Sequence, residues 1–238
     1  MQGPITLCID IGGSKTKLVR CDARALPLDE PLRKDTPARS HPESTIDLIA
    51  EAVDELGGEF DRVSVGYPGV IRNGVCETAV NLDPSWQGFP ISDVLTARLG
   101  RDTRAANDAD VQGLGCIRGH GTELVLTLGT GIGSALFRDG VLIPNCEFGH
   151  LPYGRESTFE HELGKNALHA LGWEAWLERI PPALDVFRRC FNPDLILIGG
   201  GNARFLPRIP LPDDIVIVPN EAGLYGGVRL WLGVQSET

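Results

Sequence analysis

Hydrophobic positions recur along the chain with two periods, one typical of strands and one of helices. Short apolar runs and their returning partners predict strands at 5–10, 16–21, 62–66, 123–128, 134–143, 194–201 and 214–219. Helical spacing predicts helices at 44–56 and 91–99, an amphipathic region over 159–191 broken at Pro181-Pro182, and a closing helix at 221–232. Ser44 and Asp47 have the spacing of a capping box at the start of the first helix. Strands that alternate with helices in this order predict an α/β fold.

One unit of this pattern occurs twice. A strand, a glycine-rich turn and a returning strand appear first around "IGGSK" and again, about 120 residues later, around "GTGIG". Each copy opens a half that contains further strands and helices, and no long linker separates the halves. We therefore expect two lobes, 1–105 together with 221–238 and 106–220, with a hinge near 104–108 and a cleft between the lobes.

Composition narrows the functional class. The 238 residues are 42% hydrophobic and 23% charged, and no apolar run approaches the ~18 residues that cross a bilayer. Met1 leads straight into an apolar strand without a charged leader, and the six cysteines are scattered without a CxxC pair. These features predict a cytoplasmic protein with reduced thiols and no membrane partner.

The charge is uneven. The net charge of −10 argues against nucleic acid as a partner. The first forty residues nevertheless hold seven Lys and Arg against five acids. This locally positive segment is either an ordinary solvated surface or an edge that receives an anionic ligand.

The glycine turns have several possible explanations. "LGTGIG" lacks the GxGxxG spacing of a dinucleotide site and precedes a strand rather than a helix, and it lacks the GK[ST] ending of a P-loop. It is either a plain tight hairpin or a turn whose backbone N–H groups and Thr130 hydroxyl face an anion. The first turn adds Asp10, Lys15 and Lys17, which are the cation and carboxylate that phosphoryl transfer requires. Two such turns, one in each half, favour phosphate binding.

Polar residues that suit the binding of a phosphoryl acceptor occur in two segments of the chain. Asn107 and Asp108 come after a strand-like stretch and before a helix pattern, where Asp108 is either a proton acceptor or a helix cap. Glu147 and His150 lie in a glycine-containing loop, a position where a lone Glu or His is usually surface or satisfied core. Sugar hydroxyls are bound by such convergent polar groups. The order of turn, Asn-Asp, turn and Glu-x-Gly-His is too specific to arise by chance.

The sequence resembles a known family, the ROK sugar kinases, and within it the polyphosphate glucokinases. The segments that carry the resemblance span 5–226 and are "IDIGGSKTK", "VGYPGVIRNGV", "TAVNLDPSWQG", "NDADVQGLG", "LTLGTGIGSALFRDGVLIPNCEFGH", "PDLILIGGG" and "NEAGLYG". The resemblance implies a two-lobed ribonuclease-H-like fold of the actin-like ATPase and hexokinase superfamily, with a central cleft. It also implies a glucokinase that phosphorylates the 6-hydroxyl of glucose from polyphosphate, with ATP as a poorer donor.

The resemblance assigns roles to individual residues. Asp108 would be the catalytic base, and Asn107, Glu147 and His150 would bind sugar hydroxyls together with a further carboxylate, Glu160. Asp10 would serve Mg²⁺ directly or through water. The donor phosphates would be bound by Asp10, Gly12, Gly13, Ser14, Lys15, Thr16, Lys17, Gly129, Thr130, Gly131 and Gly133, and the donor loop would be Gly199, Gly200 and Gly201.

The sequence departs from most ROK kinases in one respect. The stretch "HLPYGRESTFEHELGKNAL" has no cysteine to form the zinc motif that usually follows the histidine, so no structural zinc is expected. A polyphosphate chain would run beyond the glycine turns, and the basic residues expected along it are Lys15, Arg20, Arg33 and Lys34. A homodimer is expected by resemblance.

Three rival functions remain. One is a strictly ATP-dependent ROK hexokinase acting on glucose, mannose or another hexose. Another is a sugar-responsive repressor, which is disfavoured because only nine residues precede Asp10. The third is a sugar-binding relic without catalysis, which is disfavoured because Asp108 and both glycine turns are intact.

Overall fold

Each half of the chain is built on a five-stranded sheet, seen in a computed structural model that describes residues 3–36, 41–79, 82–219 and 222–232. In the first half the strands are β1 (Thr6–Ile11), β2 (Lys15–Cys21), β3 (Leu32–Asp35), β4 (Arg62–Tyr67), β5 (Ile71–Arg72), β6 (Val75–Cys76) and β7 (Thr103–Asn107). In the second they are β8 (Thr122–Leu128), β9 (Ile132–Arg138), β10 (Val141–Ile143), β11 (Leu195–Gly199) and β12 (Ile215–Ile217). The sheet orders β3-β2-β1-β4-β7 and β10-β9-β8-β11-β12 repeat one topology, while β5 and β6 form a separate two-stranded ribbon. The predicted duplication is thus present in the strand order.

The helices are α1 (Pro42–Leu56), α2 (Ile91–Leu99), α3 (Asp108–Cys116), α4 (Phe159–Leu163), α5 (Lys165–Leu171), α6 (Trp173–Glu178), α7 (Ile180–Phe191) and α8 (Ala222–Gly226). Short 3₁₀ helices lie at Pro84–Trp86, Phe148–His150, Gly201–Arg208 and Arg229–Trp231. In the described ranges, none of the helices combines the length and the apolar character that crossing a membrane requires.

The chain divides into two compact units. The first comprises 1–115 and 221–238, and the second comprises 116–220. The first boundary falls after Gly115 rather than near residue 105, because α3 and its preceding strand β7 remain with the first sheet.

In the first unit, alternate residues of β1 enter two different cores. Leu7 and Ile9 pack with α1 and α2 residues, including Ile49, whereas Cys8 packs with Val228 of the closing segment. A strand that is covered on both faces has a continuous apolar sequence, and this run of apolar residues is what predicts β1. The core of the second unit lies between its sheet and α4 to α7.

The first helix begins earlier than its sequence pattern predicted. Pro42 occupies the first turn of α1, where proline's missing N–H costs nothing, and His41 is the N-cap without a side-chain hydrogen bond. The predicted capping box of Ser44 and Asp47 is therefore wrong, because both residues lie inside the helix. The α2 prediction, 91–99, is confirmed.

Two predictions for the second unit are wrong in instructive ways. The predicted strand 134–143 is a hairpin of β9 and β10, turned at Asp139 and Gly140, whose φ angles of 50° and 82° suit a two-residue turn. The region 159–191 does not break at Pro181-Pro182, since those prolines lie in the first turn of α7. Its breaks come at Gly164, Gly172 and Arg179.

The closing segment is shorter as a helix than the predicted 221–232. Within the described residues, α8 ends at Gly226 and a 3₁₀ turn follows. A Cβ added to Gly227 would lie 2.9 Å from Cys8 Sγ, so only glycine lets the backbone approach β1 this closely. Ser64 donates to the Gly227 carbonyl at 2.6 Å and accepts from Trp231 Nε1 at 2.8 Å, which fastens the segment to β4. Residue 221 lies outside the described residues.

Candidate active site

Asp10 and Asp108 converge at one edge of the first sheet. β1, β4 and β7 are parallel neighbours, so their carboxyl ends meet at the same edge. Asp10 pairs in register with Gly66 of β4, and Asp108 directly follows β7. A Cβ added to Gly66 would lie 3.8 Å from Asp10 Oδ1 and 3.7 Å from Asp108 Cβ. Gly66 keeps the space between the two acids open, a role that only the glycine at the end of an apolar strand signalled in the sequence.

Asn107, not Asp108, caps the helix that follows. Its Oδ1 accepts from the backbone N–H groups of Ala109 at 2.8 Å and Asp110 at 3.2 Å, which is the geometry of an N-cap. Its Nδ2 donates to the Gly69 carbonyl at 3.2 Å, and the residue is buried. Asp108 is thereby held in the first turn of α3, where its Oδ1 accepts from Ala109 N at 2.8 Å. The sequence pattern makes Asp108 either a proton acceptor or a helix cap, and the structure shows that the helix cap is Asn107.

The first glycine turn brings Asp10 and Lys17 together. Lys17 Nζ donates to Asp10 Oδ2 at 2.8 Å, which leaves Oδ1 on the side of Gly66. Gly12 N donates to Lys15 O at 3.0 Å, and a Cβ on Gly12 would lie 2.7 Å from that oxygen, so the tight turn requires glycine. Gly13 and Ser14 are exposed at its tip.

Other predicted members of this turn point elsewhere. Thr16 is buried and its hydroxyl pairs with that of Thr36 at 2.9 Å, so the side chain is directed into the protein. Lys15 pairs with Asp35 at 2.6 Å on β3. Of the other basic residues predicted along the donor, Arg20 pairs with Asp29 and Lys34 pairs with Glu55, whereas Arg33 is exposed.

The second glycine turn directs its carbonyl groups at the protein. Gly131 O accepts from Gly129 N at 3.0 Å, Gly129 O from Asn202 Nδ2 at 3.0 Å, and Thr130 O from Lys165 N at 3.1 Å. Within the described part of the chain, the amides of Thr130 and Gly131 donate no hydrogen bond. A turn with satisfied acceptors and available donors is suited to an anion.

Close approach favours glycine at Gly131 in this turn, whereas Gly129 has open space around it. Gly129, Gly131 and Gly133 all have φ outside the left-handed region, and Gly133 lies in β9 opposite Thr127. A Cβ on Gly131 would overlap the Glu160 carboxylate, whose Oε2 accepts from Ile132 N at 3.4 Å. Glu160 therefore lies against the second glycine turn.

The triple-glycine loop lies beside the second turn. Gly199 ends β11, Gly200 has a φ of 85°, and Gly201 begins the next 3₁₀ helix. A Cβ on Gly200 would lie 2.5 Å from the Leu128 carbonyl oxygen, and Asn202 bonds to Gly129. The predicted donor loop and the predicted phosphate turn are thus in contact, and Asn202 is a member that sequence reasoning missed.

Ser134 holds the Glu147–His150 loop. Its hydroxyl donates to the Cys146 carbonyl at 2.5 Å and accepts from Phe148 N at 2.8 Å, and Ser134 is buried in β9. Because β9 emerges from the second glycine turn, the turn and the loop form one connected structure. A polar residue at a strand position inside the apolar run "SALF" is the signal that could have identified it.

The electrostatics of this loop centre on Glu147. Burial raises the pKa of the Glu147 carboxyl; the His150 imidazole, whose Nε2 lies 3.8 Å from Glu147 Oε2, lowers that pKa and the Glu160 carboxylate raises it. Three predicted sugar ligands thus interact within the second unit.

Comparison with known proteins identifies the family. Residues 6–164 match the model of the ROK family, a range that contains Asp10, Asp108, Glu147, His150 and Glu160. The chain belongs to the ROK family. The resemblance seen in the sequence is confirmed, and the α/β architecture is the actin-like ATPase fold of ROK sugar kinases.

Individual ROK proteins agree along nearly the whole chain. The polyphosphate glucokinase of Mycobacterium tuberculosis (strain CDC 1551 / Oshkosh) is 35% identical over 92% of this chain and 88% of its own length. The inorganic polyphosphate/ATP-glucomannokinase from Arthrobacter sp. strain KM superposes with a TM-score of 0.87 at 36% identity, covering 96% of this chain and 98% of that one. The ROK family glucokinase from Streptomyces griseus, in complex with glucose and AMPPNP, has a TM-score of 0.77 at 20% identity over 95% of this chain and 98% of that one, and shows the fold.

Proposed function

We propose that this ROK protein is a polyphosphate glucokinase, which transfers the terminal phosphoryl group of inorganic polyphosphate to the 6-hydroxyl of glucose. The observation that carries the proposal is the convergence of Asp10 and Asp108 over Gly66, which sets a potential base beside a phosphate-turn carboxylate. The 35% identity to a polyphosphate glucokinase over 92% of the chain supports the choice of donor and sugar.

The chemistry assigned to Asp108 is general-base catalysis. Its carboxylate accepts the proton of the 6-hydroxyl while the sugar oxygen forms a bond to the terminal phosphorus. The bond between that phosphorus and its bridging oxygen breaks, and the leaving polyphosphate, shorter by one unit, takes the electron pair. Asn107 also positions the Asp108 carboxylate, because its cap on α3 fixes where that carboxylate lies.

Binding roles follow from the surroundings of each group. The Thr130 and Gly131 amides donate to phosphate oxygens, and Lys17 supplies positive charge beside Asp10. We assign the sugar hydroxyls to Asn107, Glu147 and His150, with Glu160 as a further carboxylate; Thr16, which is buried, contributes to the turn's structure.

The residues present fit Mg²⁺. Magnesium is commonly held by one or two carboxylates together with phosphate oxygens and water, and Asp10 Oδ1 faces the Asp108 side while Lys17 occupies Oδ2. The described residues hold no group of three or more His, Cys, Asp or Glu side chains that would form an all-protein cage. When bound, Mg²⁺ would neutralise negative charge on the transferring phosphoryl group.

One structural relative supports ATP as a second donor and mannose as a second sugar. The structural relative at 36% identity is named a polyphosphate/ATP-glucomannokinase, so we infer that ATP and mannose are also substrates. The six cysteines, all within the described residues, form no disulfide, which supports work in a reducing, cytoplasmic compartment. The homodimer stays a prediction, tested by light scattering.

The proposal is tested by incubating the protein with glucose, Mg²⁺ and either long-chain polyphosphate or ATP. We expect glucose 6-phosphate as the product, with a higher kcat/KM for polyphosphate. If ATP is the better donor by about tenfold or more, the protein is an ATP-dependent ROK hexokinase. If neither donor yields a sugar phosphate, the proposed function is wrong.

A further inference from the structure

Ion pairing separates the cations of the second unit into two groups. Arg138, Arg179, Arg188 and Arg189 each pair with a carboxylate. Arg118, Arg155, Lys165, Arg204 and Arg208 are exposed and form no ion pair with a carboxylate among the described residues, and of these Lys165, Arg204 and Arg208 lie on elements that border the second glycine turn. In a chain with a net charge of −10, exposed cations without carboxylate partners keep their charge available to an external anion.

Lys165 lies on one side of the second glycine turn. Its backbone N–H donates to the Thr130 carbonyl at 3.1 Å, so the side chain starts next to the two available amides of that turn. His169 follows on the same exposed face of α5, about 6 Å further along the helix.

Arg204 and Arg208 lie on the element that holds the other side of the turn. The 3₁₀ helix Gly201–Arg208 starts at the triple-glycine loop, and its Asn202 binds the Gly129 carbonyl. Arg208 Nη1 donates to the Arg204 carbonyl at 3.0 Å, which ties the two residues together.

Aromatic rings hold these guanidinium groups without neutralising them. Arg208 lies 5.3 Å from the centroids of both Trp173 and Phe205, and Arg204 lies 4.8 Å from Phe205. Trp173 is 42% exposed, so this arrangement faces solvent. Cation–π contacts orient an arginine while its full charge remains available to a ligand.

We propose that Lys165, Arg204 and Arg208 form a cationic track for the distal phosphates of a polyphosphate chain whose terminal phosphates occupy the second glycine turn. The proposal rests on the proposed function and adds the residues that distinguish a long donor from a short one. It replaces the predicted role of Lys15, Arg20 and Lys34, because carboxylates already pair with those three, while the role of Arg33 stays a prediction.

The track favours long donors because the three donors differ in how far their negative charge extends beyond the turn. A triphosphate has no phosphates beyond the turn, and ATP continues as an uncharged nucleoside. Long polyphosphate continues as an anion, and every distal phosphate that meets a cation adds an attraction that salt screens.

The test compares long-chain polyphosphate, tripolyphosphate and ATP in steady-state assays with Lys165→Gln and with Arg204→Gln/Arg208→Gln. For each variant we expect kcat/KM for long polyphosphate to fall about tenfold and its salt dependence to flatten, with tripolyphosphate and ATP changed less than about twofold. Arg189→Gln removes an exposed, carboxylate-paired arginine of the same unit and is the matched control, expected to match wild type for all donors. Melting temperatures identify any variant whose loss of activity comes from unfolding. Wild-type Lys165 makes no cation–π contact among the described residues, so Lys165→Gln removes charge without removing such a contact.

Two failures are distinguishable. If wild-type protein does not phosphorylate glucose from polyphosphate, the proposed function fails and the track fails with it. If wild-type protein does so but the variants keep their long-chain kcat/KM, or lose ATP activity equally, the track alone is wrong.

Discussion

Asp10 and Asp108 approach one point above Gly66, each with an atom within 3.8 Å of the position that a side chain's first carbon would take there. Two acids that are far apart in sequence come together because β1, β4 and β7 are parallel neighbours. The fold has room for a small side chain at residue 66, but such a side chain would enter the space between the two acids.

Gly66→Ala tests that separation. The nearest atom to the added methyl would be Asp108 Cα at 3.5 Å, an ordinary contact, and Gly66 does not have positive φ. Removing a glycine's freedom in the unfolded chain stabilises a protein by about 0.4–1 kcal/mol where the conformation permits. We expect an equal or higher melting temperature and a kcat lowered about tenfold. A variant with full activity would show that the space between the two acids is not used.

Gly131→Ala should act through Glu160. The added methyl overlaps the end of the flexible Glu160 side chain, so the carboxylate moves while the fold tolerates the change. We expect a melting temperature near that of wild type and a large loss of kcat/KM. Adding Glu160→Gln to Gly131→Ala should cost less than about threefold more, because residues that act as a unit are non-additive. Fully additive losses would contradict the shared mechanism.

Gly200→Ala is the contrasting variant for stability. Its φ of 85° disfavours any side chain, and a methyl would meet Leu128 backbone atoms at 2.5 Å to 2.7 Å. Backbone cannot yield as a side-chain end does, so we expect a loss of about 1–3 kcal/mol. Chemical denaturation measures it, and a Gly200→Ala protein as stable as Gly131→Ala would contradict the explanation.

Glu147→Gln should stabilise the protein while weakening glucose binding. Burial raises the pKa of Glu147, so the charged carboxylate destabilises the folded state. This cost to folding stability is absent below the ordinary pKa of glutamate, where the group is protonated in both states, and it grows as pH rises through the raised pKa. The variant's melting temperature should therefore exceed that of wild type at pH 8, with the difference shrinking as pH falls. Its apparent KM for glucose should rise by an amount equivalent to ~1–3 kcal/mol. Unchanged glucose binding by titration calorimetry in both Glu147→Gln and His150→Ala would place the sugar elsewhere.

Zinc should be absent from purified, tag-free protein. No cysteine lies between His150 and the end of α7's first turn to complete a tetrahedral site. Elemental analysis that finds stoichiometric zinc would contradict this prediction.

The parts of the fold predicted from sequence are those with local signals. Apolar runs located β1, β4, β8 and β11, and the polar residues Asp10 and Asp108 stood at strand and helix ends where such patterns change. The hairpin at Asp139-Gly140 was missed because apolar residues on both sides continued one strand pattern through a two-residue turn.

The rest of the site depends on pairings between distant segments. Gly66 lies between two acids only because of the strand order, and Glu160 reaches Gly131 only because α4 packs near β9. Charge counting placed a polyphosphate contact in the first forty residues, yet Asp35, Asp29 and Glu55 neutralise three of those cations. A sequence gives the number of charges and the structure gives their pairing.

Asp108→Asn tests the central claim most directly. Asparagine preserves the size of the side chain but accepts no proton, so we expect glucose phosphorylation from polyphosphate to fall by at least 10²-fold, the lower range for general-base loss. Glucose affinity, measured by titration calorimetry on the same preparation, should stay within about tenfold of wild type. Turnover within a few-fold of wild type would remove Asp108 from the mechanism and contradict the account.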